Sequence, residues 1–171
     1  VAVNALGHSH ERIVNAIKTQ AARLVHFGLN YGYYETVIGL AEKLAQITPG
    51  NLDTVFFSNS GGEAIDGSLK LARAATNRPG IIAFNGSFHG RTMGATTVTG
   101  SSSKYKKYYE PLIGEVYHTP YPYPGLVKNI DNADLTNYCI NQLRSLFDLH
   151  IDPSRVAAIL LEPVLGEGGY Y

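Results

Sequence analysis

The chain has 171 residues, 44% of them apolar, which suits one ordinary core and excludes a disordered polar segment. Fourteen basic residues balance fourteen acidic ones, so no net field recruits nucleic acid or an anionic membrane, and no apolar run approaches the ~20 residues that span a bilayer. The only cysteine, Cys139, excludes an internal disulfide and a cysteine-rich zinc site and reads as a small buried residue on a helix, in keeping with a soluble cytoplasmic protein.

The sequence opens at Val1 without Met, shows no signal-peptide pattern and stops after a strand-like run, so both ends read as cuts in a longer protein. From His10 to about His26, Ile13, Ala16, Ile17, Ala21 and Leu24 recur at three- and four-residue spacing and predict an amphipathic helix. His8 and His10 have no third ligand nearby, so no metal is assigned. Phe27 to Tyr34 is an aromatic and glycine loop, in which Tyr31, Tyr33 and Tyr34 read as packing under a helix or as the wall of a site or subunit contact. A second helix opens at Glu35 or Thr36, lines one face with Val37, Leu40, Ala41, Leu44 and Ile47, and ends at Pro49-Gly50.

Val55-Phe56-Phe57 suits a strand and leads through Ser58-Asn59-Ser60-Gly61-Gly62 into a helix from about Glu63 to Thr76. Ser60 and Glu63 match a capping box, and Gly61 and Gly62 let the backbone turn and approach a ligand without a Cβ in the way. Two readings stay open: an anion cradle made by the first free amides of the helix, or an ordinary strand-to-helix turn. The helix buries Ile65, Leu69, Ala72 and Ala75, with Lys70 as a surface salt-bridge partner. After Asn77-Arg78-Pro79-Gly80, Ile81 to Phe84 is a buried strand, giving a strand-helix-strand unit, a parallel sheet and a right-handed crossover.

The loop Asn85 to Thr92 carries Phe88, His89 and Arg91 at a strand's carboxyl end, where open α/β sheets bind ligands. Phe88 either stacks on a flat ring or packs, and Arg91 either holds a carboxylate or pairs with a surface acid. Ser101 to Tyr109, with Lys104, Tyr105, Lys106 and Lys107, reads as a solvated helix face rather than a nucleic-acid contact. Val116 to Tyr123 is a strand running into a proline-rich loop, Asp131 to about Leu149 is an amphipathic helix, and Val156 to Leu161 is a core strand. Glu162 and Glu167 follow it in a glycine-rich loop, where position favours functional acids over solvated ones. Gly166-x-Gly168 lacks the third glycine and the helix of a dinucleotide fingerprint.

Five segments, taken together and in order, resemble the class III, pyridoxal-phosphate-dependent aminotransferases of the 4-aminobutyrate, ornithine and acetylornithine type. They are Val3 to His8, Ser58 to Ala64, Phe88 to Thr92, Tyr117 to Pro122 and Glu162 to Gly169. The resemblance implies a three-layer α/β fold, the large domain of the fold type I pyridoxal-phosphate transferases in incomplete form. Residues 1–50 would be an N-terminal helical segment and 51–171 the first part of the cofactor-binding domain.

The resemblance also implies roles. Ser60, Gly61 and Gly62 would grip the phosphate of pyridoxal 5'-phosphate, Phe88 would lie on its ring, and His89 and Glu162 would line the same pocket. Arg91 would bind a substrate carboxylate, and Glu167 would alternately pair with and release a distant arginine. Family members often have Ala or Thr at Gly62 and Gln at Leu165. The aspartate on the pyridine nitrogen and the Schiff-base lysine are expected beyond Tyr171, so the isolated chain is expected to carry no catalytic residue and to be inactive. The whole protein would transfer an amino group between an ω- or α-amino acid and a 2-oxo acid as a homodimer. A racemase or epimerase of the same family and a non-catalytic phosphate-binding fragment are the rival expectations.

Overall fold

Strand β1 (Gly80–Phe84) is the centre of a three-stranded parallel sheet, with β2 (Val116–Thr119) on one side and β3 (Val156–Ile159) on the other. Its side chains do not alternate in polarity because both faces are covered. Ile81 and Ala83 pack with Leu69 of α3 (Gly61–Thr76) and Val98 of α4 (Met93–Val98). Ile82 packs on the other face with Leu146 of α5 (Leu135–Leu149) and with Ile151. Full burial of each isoleucine is worth roughly 1.5–3 kcal/mol, so this strand anchors an α/β, three-layer arrangement of helices around a parallel sheet.

These elements come from a computed structural model that describes residues 2–171. The chain falls into two compact units, Val1–Phe56 and Phe57–Tyr171. The first contains α1 (Glu11–Arg23) and α2 (Glu35–Ile47), neither of which has a fully buried residue. Arg23 and Glu35 join the end of one helix to the start of the other at 3.3 Å, an exposed pair worth about 0.2–1 kcal/mol. Tyr31 and Tyr33 are exposed, which departs from the expectation that they pack under a helix, while Tyr34 is half-buried.

Several further expectations change. Val55-Phe56-Phe57 forms no strand: no neighbour pairs with it among the described residues, and Phe56 is largely exposed. An apolar run becomes a strand only when a partner takes its amides and carbonyls. On α3, Ala75 is exposed rather than buried. Lys70 enters none of the ion pairs among the described residues. Asp66 instead faces Gly94, where an added Cβ would run into its carboxylate, and Arg73 donates to the carbonyls of Pro79 and Gly114, both at 2.8 Å. The basic stretch at 101–109 contains only a 3-10 turn, Ser103–Tyr105, and Tyr105 and Lys106 are half-buried rather than solvated. Lys106 donates to the Thr97 carbonyl at 3.0 Å, and burial pushes its ammonium pKa down against the opposing charge of Glu110.

Parallel register fixes where the loops emerge. Phe84 of β1 lies beside Thr119 of β2, and the Leu160 amide, just past β3, donates to the Ile82 carbonyl at 2.8 Å. The three carboxyl ends therefore open on one edge, and each is followed by a segment singled out in the sequence.

Candidate functional site

Ser60 has extended backbone, and its hydroxyl accepts from the Glu63 amide at 3.2 Å, as a helix cap does. Glu63 reaches back one residue further than a standard capping box: its carboxylate accepts from the Asn59 amide at 2.8 Å and the Asn59 side chain at 3.0 Å. The backbone amides of Ser60, Gly61 and Gly62 have no hydrogen-bond partner among the described residues. A 16-residue helix starts here, so three free donors and the positive end of its dipole converge on one spot.

The loop after β1 is pressed against that spot. Gly90 has φ +130°, and a Cβ placed on it would sit 2.7 Å from the Gly62 Cα. Only glycine permits both that conformation and that approach. Thr92 adds a hydrogen bond from its hydroxyl to the Gly62 carbonyl at 3.3 Å. Phe88, His89, Arg91 and the Ser60–Gly62 turn therefore share one edge of the sheet.

Glu162 ties the third segment in. One carboxylate oxygen accepts from the Phe88 amide at 2.7 Å and the other from the Gly166 amide at 2.9 Å, while Tyr121 donates to the Glu162 carbonyl at 3.2 Å. Two charge-assisted bonds to backbone amides make this acid a clasp between the 88–92 and 162–169 loops. His89 is buried: its amide donates to the Thr99 hydroxyl at 2.9 Å, and its Nε2 has no partner among the described residues. Burial lowers the His89 pKa from the ordinary 6.5, and nearby Glu162 partly opposes the shift. His118 is lowered from the same value mainly by burial and then by the charge of Lys106.

Arg91 is exposed and forms no ion pair among the described residues. With Met93, Thr96, Lys104, Tyr105 and Tyr109 it lines an open cavity of about 460 Å³. Tyr105 is its hub. The Tyr105 ring lies 5.1 Å from that of Phe88, with Arg91 at 5.7 Å and Lys104 at 4.7 Å over its face, and its hydroxyl donates to Glu167 at 2.6 Å. Lys104 stands 3.9 Å from the same Glu167 oxygen. The structure thus gathers every sequence-predicted residue, Ser60, Gly61, Gly62, Phe88, His89, Arg91, Glu162 and Glu167, on the carboxyl edge. Tyr105 and Lys104 were missed; their only signal was an aromatic inside a basic run.

Free amides at a helix start, an aromatic ring beside a carboxylate clasp and an unpaired guanidinium define an α/β anion-binding edge of the kind that takes a phosphorylated planar cofactor. The family model described as Aminotransferase class-III matches residues 1–171. A probable 4-aminobutyrate aminotransferase of Bacillus subtilis (strain 168) is 39% identical over 170 residues, covering 96% of this chain and 38% of the relative. An isoleucine 2-epimerase of Lentilactobacillus buchneri is 38% identical over 170 residues, covering 96% of this chain and 37% of the relative. A solved amine transaminase from an uncultivated Pseudomonas species, in a PLP-bound form, superposes with a TM-score of 0.83 at 27% identity, covering 96% of this chain and 39% of that one.

The chain belongs to the class III aminotransferases, a family of pyridoxal-phosphate enzymes. It spans under two-fifths of the length of the relatives it matches, at 38% and 37%.

Proposed function

We propose that this chain forms the phosphate-gripping and carboxylate-reading part of a pyridoxal-phosphate-dependent aminotransferase that moves an amino group from an ω- or α-amino acid to a 2-oxo acid. The observation that carries this reading is the set of free amides at Ser60, Gly61 and Gly62, abutted by the loop that bears Phe88 and Arg91. A dianionic phosphate ester fits the cradle: the donors are free and neither Gly61 nor Gly62 carries a Cβ.

When bound, pyridoxal phosphate supplies the electron sink for breaking bonds at the amino acid's Cα. This chain's residues would do the holding. The turn at Ser60–Gly62 grips the phosphate, Phe88 presents a flat apolar face, and Glu162 fixes that face by anchoring the Phe88 amide. His89, kept neutral by burial, fills the pocket without adding charge. Arg91 orients a substrate carboxylate through its planar fork. The Schiff-base lysine and the aspartate on the ring nitrogen would come from a segment following Tyr171. Residues 1–50 would be the N-terminal helical segment and 51–171 the first part of the large domain, in a cytoplasmic homodimer with the exposed Tyr31 and Tyr33 at the subunit contact.

The test is full-length protein with pyridoxal phosphate, offered a panel of ω- and α-amino acids with 2-oxoglutarate in a coupled assay. Consumption of the oxo acid in step with the amino donor is the expected result. The similarity to an isoleucine 2-epimerase favours one alternative, for which the donor's optical rotation would decay with no oxo acid consumed. Absence of both activities, with cofactor bound no more tightly than pyridoxal lacking its phosphate, would sink the reading.

A further inference from the structure

The loop that carries Phe88 is held amide by amide. Asn85 donates to the Thr119 carbonyl at 2.9 Å, Gly86 to the Gly100 carbonyl at 3.0 Å and Ser87 to the Phe84 carbonyl at 3.3 Å, while the Gly100 amide returns a bond to the Ser87 carbonyl at 2.8 Å. The next two amides go to side chains instead. Phe88 donates to the Glu162 carboxylate at 2.7 Å, and His89 donates to the Thr99 hydroxyl at 2.9 Å. A residue's backbone has only two soft dihedrals, so fixing the peptide on each side of Phe88 sets both, and with them the direction in which its ring leaves the chain. Glu162 fixes one of those peptides and Thr99 the other.

Thr99 is fully buried at the end of α4, and its amide and hydroxyl both donate to the Ala95 carbonyl, at 3.0 and 2.8 Å. With its one proton directed at Ala95, the hydroxyl offers only lone pairs to His89, whose amide can only donate. The same short helix reaches the phosphate cradle at its other end, where the Thr92 hydroxyl donates to the Gly62 carbonyl at 3.3 Å. We propose that Thr99 is the positioning residue for the cofactor ring: by holding the His89 amide it orients Phe88. The proposal rests on the pyridoxal-phosphate reading made above. In Thr99→Val the shape stays but the acceptor goes. The unmet amide is relieved when the loop turns toward water, and a bound ring must reverse that turn, so the loss appears in affinity as well as in stability.

The test is titration of full-length protein, stripped of cofactor, with pyridoxal phosphate and with pyridoxal, together with the circular dichroism induced in the cofactor's absorption band. Thr99→Val is expected to weaken both ligands by the same factor, about tenfold, the scale of one buried amide left without its acceptor, and to shrink the induced band at saturation. Thr99→Ser restores the hydroxyl and should bind both within about threefold of the unsubstituted protein. A lowered thermal midpoint with both affinities and the band unchanged would make Thr99 a core hydroxyl only and overturn the proposal. So would a loss confined to pyridoxal phosphate, which points to the Ser60–Gly62 turn, or a Thr99→Ser variant as weak as Thr99→Val. If Thr99→Val does not fold, Thr99→Ala, which asks for no new space, is set against Thr99→Ser by the same readings. Unsubstituted protein that binds pyridoxal phosphate no more tightly than pyridoxal removes the cofactor assignment, and this proposal with it; if it binds the phosphorylated form more tightly and Thr99→Val changes neither affinity nor band, only the role of Thr99 falls.

Discussion

Gly90 and Gly62 face each other across the site, and adding one methyl group to either tests how tightly the loop is pressed on the helix start. At Gly90 the new Cβ would lie 2.7 Å from the Gly62 Cα, and φ +130° is outside what L side chains favour, so neither backbone can yield cheaply. Gly90→Ala should cost about 1–3 kcal/mol, read as a lowered urea midpoint, and should weaken cofactor binding by displacing the cradle. At Gly62 the new Cβ makes ordinary contacts, with the Thr92 methyl carbon at 3.4 Å, its hydroxyl at 3.5 Å and the Arg91 backbone nitrogen at 3.7 Å. Gly62→Ala should therefore shift stability by under about 1 kcal/mol, with helix propensity pulling upward. A Gly90→Ala loss no larger than that of Gly62→Ala would mean that Gly90 neither holds φ +130° nor presses on the helix start. At this scale the sequence showed which residue types mattered but not their partners. Glu162 looked like a pocket acid, and its two bonds to the Phe88 and Gly166 amides depend on chain separations of 74 and 4 residues that no spacing pattern encodes. Tyr105 was hidden for the same reason: its partners Phe88 and Glu167 come from two other loops.

The elements divide by whether their stabilising neighbours are local. Helix α3 was legible because Ser60, Glu63 and Asn77 mark its ends, the last in the left-handed conformation at φ 54°. β1 was legible as an unbroken apolar run, because burial on both faces leaves no polar positions. Val55–Phe57 has the same composition but no paired neighbour, and a run of strand-forming residues does not specify its partner. Helix α4 escaped notice because Gly94, Ala95, Thr96, Thr97 and Val98 are all buried, so no polar face produces a period. The cradle itself is testable at this level. Gly61 is the first residue of α3, follows a Ser60 with extended backbone at ψ 163°, and has nothing within 4 Å of its Cβ position. Proline suits that place: it lacks only the N–H that the helix leaves unused, and the preceding residue already has the conformation it demands. Gly61→Pro should leave the thermal midpoint unchanged or slightly raised while weakening pyridoxal phosphate by about tenfold, the worth of one hydrogen bond to a charged acceptor. Pyridoxal without phosphate should bind both proteins alike. A variant that melts normally and retains full affinity for the phosphorylated form would remove the Gly61 amide from the site.

Two buried imidazoles give the molecule a pH response that a surface histidine would not. His89 faces Glu162, and His118 faces Lys106 and His89, with its ring against the Val98 carbonyl at 3.3 Å. Burial lowers both folded values below the ordinary 6.5, so between the folded and ordinary values the unfolded chain binds protons that the folded chain refuses. Stability therefore rises with pH across that window. It is fully present above about 6.5, falls as pH drops below that value, and levels off once the folded imidazoles also protonate. Lys106 is lowered from 10.5 by burial, and Asp152 is lowered from 3.8, mainly by its hydrogen bond with Ser154, and so acts only in acid. The chain has two compact units, so a global unfolding curve need not be two-state, and exchange of the β1 amides is the better probe because β1 lies wholly in the second. Protection of Ile81 and Ile82, corrected for intrinsic exchange, should fall between pH 7 and pH 5, and His89→Gln should flatten part of that slope. Protection that rises on acidification would mean that the imidazoles protonate more readily in the folded chain. Glu162 would then govern the charge of His89, and the pocket would carry a cation where a neutral ring is assigned.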